Sequence, residues 1–213
     1  MKIGILGSGP VAQALGNGFL KHNYEVMLSS HDITKLSPWK DKGGDRAHIG
    51  GFEDAAKFGK IIVLAVKGKV AAEIIEEAGP QNLLGKTVID VTNPIADAPP
   101  ENGVIKFFTN LDESLMERLQ AQFPEVHFVK AFNIVGNSFM VNPPFKEQPT
   151  MFICGNNDAS KKEVRHILEL FGWDIADMGK ASGARAIEPL CMLWCIPGIL
   201  QGQWNHAFRL IKA

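Results

Sequence analysis

The chain has 213 residues, with 22 Lys and Arg against 23 Asp and Glu and a formal net charge of −1. That balance excludes a sequence-independent electrostatic attraction to nucleic acid or to an anionic membrane. A hydrophobic share of 46% with 21% charged residues excludes a disordered chain and supplies a sizeable core.

Met1-Lys2 runs straight into Ile3-Gly4-Ile5-Leu6, which predicts a strand over 2–6 and no signal peptide ahead of it. Short β-branched or apolar runs bounded by Gly, Pro or Asn predict further strands over 25–29, 60–66, 87–91, 127–130, 150–154 and 173–176. Between them, helices are predicted over 11–21, 69–77, 113–122 and 159–170, the last with Val164, Ile167, Leu168 and Phe171 on one face. Strand and helix alternate, and Ile61-Ile62-Val63-Leu64-Ala65-Val66 is apolar throughout. Together these predict an α/β fold, a doubly wound, mostly parallel sheet covered on both faces. Prolines at 94, 99, 100, 143 and 144 mark long loops. From Ala181 the pattern turns helical, so we expect a binding domain over 1–180 and a helical extension over 181–213 that doubles as a candidate homodimer interface. The longest apolar stretch, 190–200, contains Pro197 and Gly198 and falls short of the ~20 residues of a membrane helix. No membrane partner is expected. Cys154, Cys191 and Cys195 form neither an even set nor a metal-type spacing, which predicts a reducing, cytoplasmic setting.

The strongest local signal is Gly7-Ser8-Gly9-Pro10-Val11-Ala12, a G-x-G-x-x-A loop between the first strand and the first helix. Gly7 permits the tight turn, Gly9 lacks the Cβ that would hold off a pyrophosphate, and the helix N-terminus offers free N–H groups to it. The end of the second strand holds Ser29-Ser30-His31, with Lys35 beyond, where an NAD enzyme usually carries an acid. Hydroxyls, an imidazole and an ammonium suit a 2′-phosphate, so NADP is expected over NAD. Asp32 opposes that phosphate unless it turns to solvent or caps the next helix. Ala65, Val66 and Lys67, with Thr92, Asn93 and Pro94, end the next two strands and complete the cofactor candidates.

Proton-transfer chemistry is thin. Tyr24 is the single tyrosine, and no zinc, dithiol or serine-hydrolase motif occurs. Direct hydride exchange between a nicotinamide and a second redox ring tolerates that lack, because the protein then mainly positions the rings.

These features resemble the coenzyme F420-dependent NADP oxidoreductase family, which includes the oxidoreductase domains of transmembrane metalloreductases. The resemblance rests on residues 1–9, Ser30-His31 with Lys35, Val63-Leu64-Ala65-Val66, Ile89-Asp90-Val91-Thr92-Asn93-Pro94 and Val129-Lys130-Ala131-Phe132-Asn133. It implies a 2′-phosphate site at Ser30, His31 and Lys35, and a catalytic floor at Ala131, Phe132 and Asn133. It implies NADPH and F420 as redox partners, with FMN or FAD as alternative acceptors. His31 stands where the family carries Arg, which weakens the clamp because a neutral imidazole has one donor and no permanent charge. Two other readings remain open at this point: a non-catalytic NADP(H) sensor, and a reductase of a small metabolite. Arg185 is expected on an acidic acceptor or at a helix end.

Overall fold

The computed structural model describes residues 1–211. Its first strand, β1 (Lys2–Leu6), is flanked by parallel partners: β2 (Glu25–Ser29) on one side and β4 (Ile61–Leu64) on the other. The edge strand β3 (Ala47–Gly50) extends the sheet beyond β2, and β5 (Thr87–Asp90) and β6 (His127–Lys130) extend it beyond β4, all in parallel. Antiparallel β7 (Thr150–Gly155) and then β8 (Asp174–Asp177) complete eight strands in the order β3-β2-β1-β4-β5-β6-β7-β8. The connection order reverses between β1 and β4, and ligands of such sheets bind outside the carboxyl ends at that point.

Helices α1 (Pro10–Lys21), α2 (Ser37–Gly43), α3 (Phe52–Phe58), α4 (Ala71–Ala78), α5 (Leu115–Gln122), α6 (Asp158–Leu170) and α7 (Ala184–Gln201) supply the crossovers and the C-terminal cover. Every residue of β4 is buried, as a strand covered on both faces requires. The predicted face of α6 holds: Val164, Ile167, Leu168 and Phe171 are all buried. Its N-terminus is closed by Asn157, whose Oδ1 accepts from the Ser160 amide at 2.9 Å.

The doubly wound, mostly parallel architecture is thus the one expected, with differences at particular elements. β3, α2 and α3 were not predicted, being four to seven residues long and carrying too few positions for a period to emerge. The strand expected over 60–66 ends at Leu64, releasing Ala65 and Val66 from the ladder. The prolines and glycine that truncated the apolar stretch in the sequence do not interrupt α7, which runs through Pro189 and Pro197. With its preceding turn it reaches Ala181–Gln201, long and apolar enough to cross a membrane by length and composition alone. Here the helix packs on β7 and α5. The chain then turns back: Trp194 Nε1 donates to the His206 carbonyl at 2.9 Å, and the Thr150 amide donates to the Phe208 carbonyl. Trp194 therefore faces the core, and Trp204 packs against it at 5.4 Å. The predicted extension is described as far as Ile211; Lys212 and Ala213 lie outside the described residues.

Candidate functional site

At the order reversal the backbone bends tightly. Gly7 has φ +141°, and a Cβ there would fall 2.3 Å from the Ala65 carbonyl oxygen, so only glycine fits. A Cβ on Gly9, by contrast, would meet no atom within 4 Å. That emptiness faces the cleft and leaves the backbone approachable. Pro10 opens α1 at its first position, where the missing N–H costs no hydrogen bond. The next free amides, Val11 and Ala12, belong to the first turn, whose dipole favours an anion. Gln13 braces the loop by donating from Nε2 to the Ser8 carbonyl at 2.9 Å.

A cleft of about 500 Å³ opens above this bend, lined by Gly7 to Val11, by Ser30 and His31, by Ala65, Val66 and Lys67, and by Phe52, Val70, Ile74 and Val91. The structure therefore brings together ten of the cofactor candidates named from the sequence. Phe52, Val70 and Ile74 were missed, since α3 carried no readable pattern and apolar residues on α4 read simply as core. Their cost-free burial of a flat ring supplies what an adenine needs, and the open loop suits a pyrophosphate, so the residues present fit a dinucleotide. Val66, Lys67 and Val91 continue into a second hollow of about 290 Å³ with Thr92 and Asn93.

Four cofactor candidates behave differently. Ser29 is fully buried; its Oγ donates to the Ile5 carbonyl at 2.8 Å and accepts from the Gly7 amide at 3.4 Å. It holds the glycine bend from behind and does not line the cleft. Lys35 stands three-quarters exposed, 3.5 Å from Asp32, and also lies off the cleft. Pro94 is buried and lines neither hollow. Thr92 reaches the second hollow, yet its amide and hydroxyl are both spent on Asp90 Oδ1, at 2.9 and 2.7 Å. Asp32 caps the turn at Ile33–Leu36 by accepting from the Thr34 amide. The Thr34 hydroxyl, aided by Lys35, holds the Asp32 carboxyl below its ordinary range.

The expected catalytic floor is buried. Phe132 adopts φ 62°, a left-handed conformation rare for a bulky side chain, and that twist turns its ring into the core, 6.0 Å from Phe171. Ala131 is also buried, and neither lines the cleft. Asn133 is held against Asn93 by a reciprocal pair: Asn93 Nδ2 donates to the Asn133 carbonyl at 2.8 Å, and Asn133 Nδ2 donates to Asn93 Oδ1 at 3.0 Å. Among the described residues, Asn133 Oδ1 is left buried without a hydrogen-bond partner. Through Asn93, Asn133 touches a residue of the hollow.

Beneath this pair lies a buried ionic cluster that the sequence did not announce. Lys130 and Asp90 are register partners at the ends of β6 and β5, and their charges meet at 2.7 Å. Glu188 of α7 reaches the same ammonium at 2.9 Å and accepts from the Leu115 and Met116 amides at the start of α5. Burial pushes the Lys130 pKa down, but Asp90 and Glu188 outweigh it and hold the pKa raised. Lys130 also donates to the Thr92 carbonyl at 2.8 Å. The cluster therefore fixes the Thr92–Asn93 loop from below. Arg185, one turn earlier on α7, meets Glu117 in a two-pronged pair at 2.7 and 2.9 Å. That is the helix-end reading.

Residues 2–94, which carry the glycine bend and most of the cleft, match the family described as NADP oxidoreductase, coenzyme F420-dependent. This segment resembles that family. The resemblance read from the sequence therefore holds where the F420-dependent oxidoreductase signature lies. Over 204 residues the chain is 28% identical to the F420-dependent NADP reductase of Methanocaldococcus jannaschii, covering 91% of this chain and 90% of that protein. It is 27% identical over 205 residues to Metalloreductase STEAP3 of Rattus norvegicus, covering 93% of this chain. The chain spans only 39% of that metalloreductase's length. A crystal structure from Arthrobacter sp. FB24, whose proposed assignment is an F420-dependent NADP-reductase, superposes over the full length of both chains with a TM-score of 0.92 and 28% identity.

Proposed function

We propose that the protein is an NADP-dependent oxidoreductase that exchanges hydride between the nicotinamide and a small-molecule acceptor with a flavin-like ring, F420 above all, with FMN or FAD as alternatives. The observation that carries this reading is the open cradle at Gly9, continuous with Ser30 and His31 on one side and with Asn93 on the other. The bound dinucleotide supplies the hydride. The chain's own residues bind and orient: the Gly9, Val11 and Ala12 amides hold the pyrophosphate, Phe52 and Ile74 wall the adenine, and Ser30 and His31 meet the 2′-phosphate. Val66 and Val91 keep water from the inner end, and the reciprocal hydrogen bonds of the Asn93–Asn133 pair hold Asn93 in place at the second hollow. In this reading residues 1–180 form the binding unit, and the C-terminal part from Ala181, built on α7, also serves a homodimer. Three free thiols among the described residues support a cytoplasmic setting.

Single-turnover oxidation of NADPH, followed by its absorbance with F420, FMN, FAD or riboflavin in turn, tests the reading. We expect acceleration over the protein-free rate, strongest with F420. No acceleration with any of the four rejects it.

A further inference from the structure

We propose that Glu77 sets the choice between NADP and NAD, by occupying the imidazole that a 2′-phosphate would need. The proposal rests on the reading of the cleft as a dinucleotide site. The end of β2 lacks the acid usual in NAD enzymes, but α4 delivers one from outside that strand: His31 Nε2 and Glu77 Oε2 are 2.7 Å apart. The placement follows from helical spacing. Val70 and Ile74 line the cleft, and Glu77 follows Ile74 by three residues, so it emerges on the same face at the rim. The imidazole stands edge-on to the Phe52 ring at 4.9 Å, an arrangement that steadies it with Nε2 toward α4.

The ammonium near the end of β2 is similarly engaged, since Lys35 lies 3.5 Å from Asp32. His31 and Lys35 thus each face a carboxylate before a cofactor enters. A 2′-phosphate must take His31 from Glu77 and then tolerate that carboxylate beside a dianion, a repulsion of like charges at short range. A free ribose 2′-hydroxyl meets no such cost, because it can donate to Glu77 in the role an acid at the end of the second strand usually plays. Discrimination between the two cofactors is therefore shallow, and one side chain sets its level.

The test is calorimetric titration of the full chain with NADPH and with NADH. Wild-type dissociation constants are expected within about tenfold of each other. Glu77→Gln keeps the shape of an exposed helix position and removes the charge, so it should tighten NADPH about tenfold and weaken NADH severalfold. Glu76→Gln, the same charge change one residue away and facing Gln122, should leave the ratio within about twofold. If Glu77→Gln leaves the ratio unchanged, or Glu76→Gln moves it as far, the proposal is overturned while the dinucleotide reading stands. If wild type binds neither cofactor at millimolar concentration, both are lost.

Discussion

Gly7 and Gly9, separated by Ser8 alone, do opposite work, and substitution separates them. Gly7 is required by the fold: its φ of +141° and the 2.3 Å approach of a Cβ to the Ala65 carbonyl make any side chain a strain of at least about 2 kcal/mol. Gly9 is not required by the fold, because among the described residues no atom lies within 4 Å of where its Cβ would stand. Gly9→Ala should therefore melt within about 2 °C of wild type yet lose about tenfold or more in dinucleotide affinity. Gly7→Ala should lower the melting temperature by roughly 4 °C or more. Thermal melts beside cofactor titrations check both; a Gly9→Ala protein that binds normally removes the pyrophosphate from this bend.

At the scale of elements, α5 and α7 are fastened by Arg185 on Glu117, the same glutamate that completes the α5 cap with Ser114. The Arg185 guanidinium holds the Glu117 carboxyl below its ordinary range, with the Ser114 hydroxyl and amide adding to the effect. A depressed carboxyl contributes stability that is fully present above its unfolded pKa and disappears as pH falls through its folded one. Arg185→Met should thus lower stability slightly at pH 7, and its deficit against wild type should shrink as pH falls below the ordinary glutamate range. Urea unfolding at pH 7 and pH 3.5 reads the difference; an undiminished deficit at the lower pH shows that the pair contributes through packing instead.

This pair also shows what the sequence can and cannot disclose about elements. The glycine bend was legible because strand, bend and helix are contiguous, and α6 because thirteen residues repeat its apolar period. Arg185 and Glu117 are 68 positions apart, and no local pattern joins them. Lys130, Asp90 and Glu188 were likewise invisible as a cluster, since the first two meet only through strand register and the third only through the packing of α7. Phe132 escapes a local reading for a different reason: its left-handed backbone and its fully buried ring show only in the structure. Phe52 escaped because α3 is seven residues long.

Across the whole molecule, the cleft gathers loops from β1, β2, β4 and β5, and its second hollow reaches residues that the Lys130 cluster ties to α5 and α7. A ligand filling both hollows therefore contacts segments that follow four different strands at once, and it binds a site the unfolded chain cannot present. Mass action then adds about 2.7 kcal/mol when free ligand stands at one hundred times its dissociation constant. For a chain of this size that amounts to a rise in melting temperature of roughly 5–10 °C. Differential scanning calorimetry with saturating NADPH is expected to show that rise as a single transition, with α7 melting together with the sheet. An early transition that NADPH leaves unmoved would mean that the helical cover unfolds independently of the cleft, and the ionic cluster beneath Asn93 would then not couple the two.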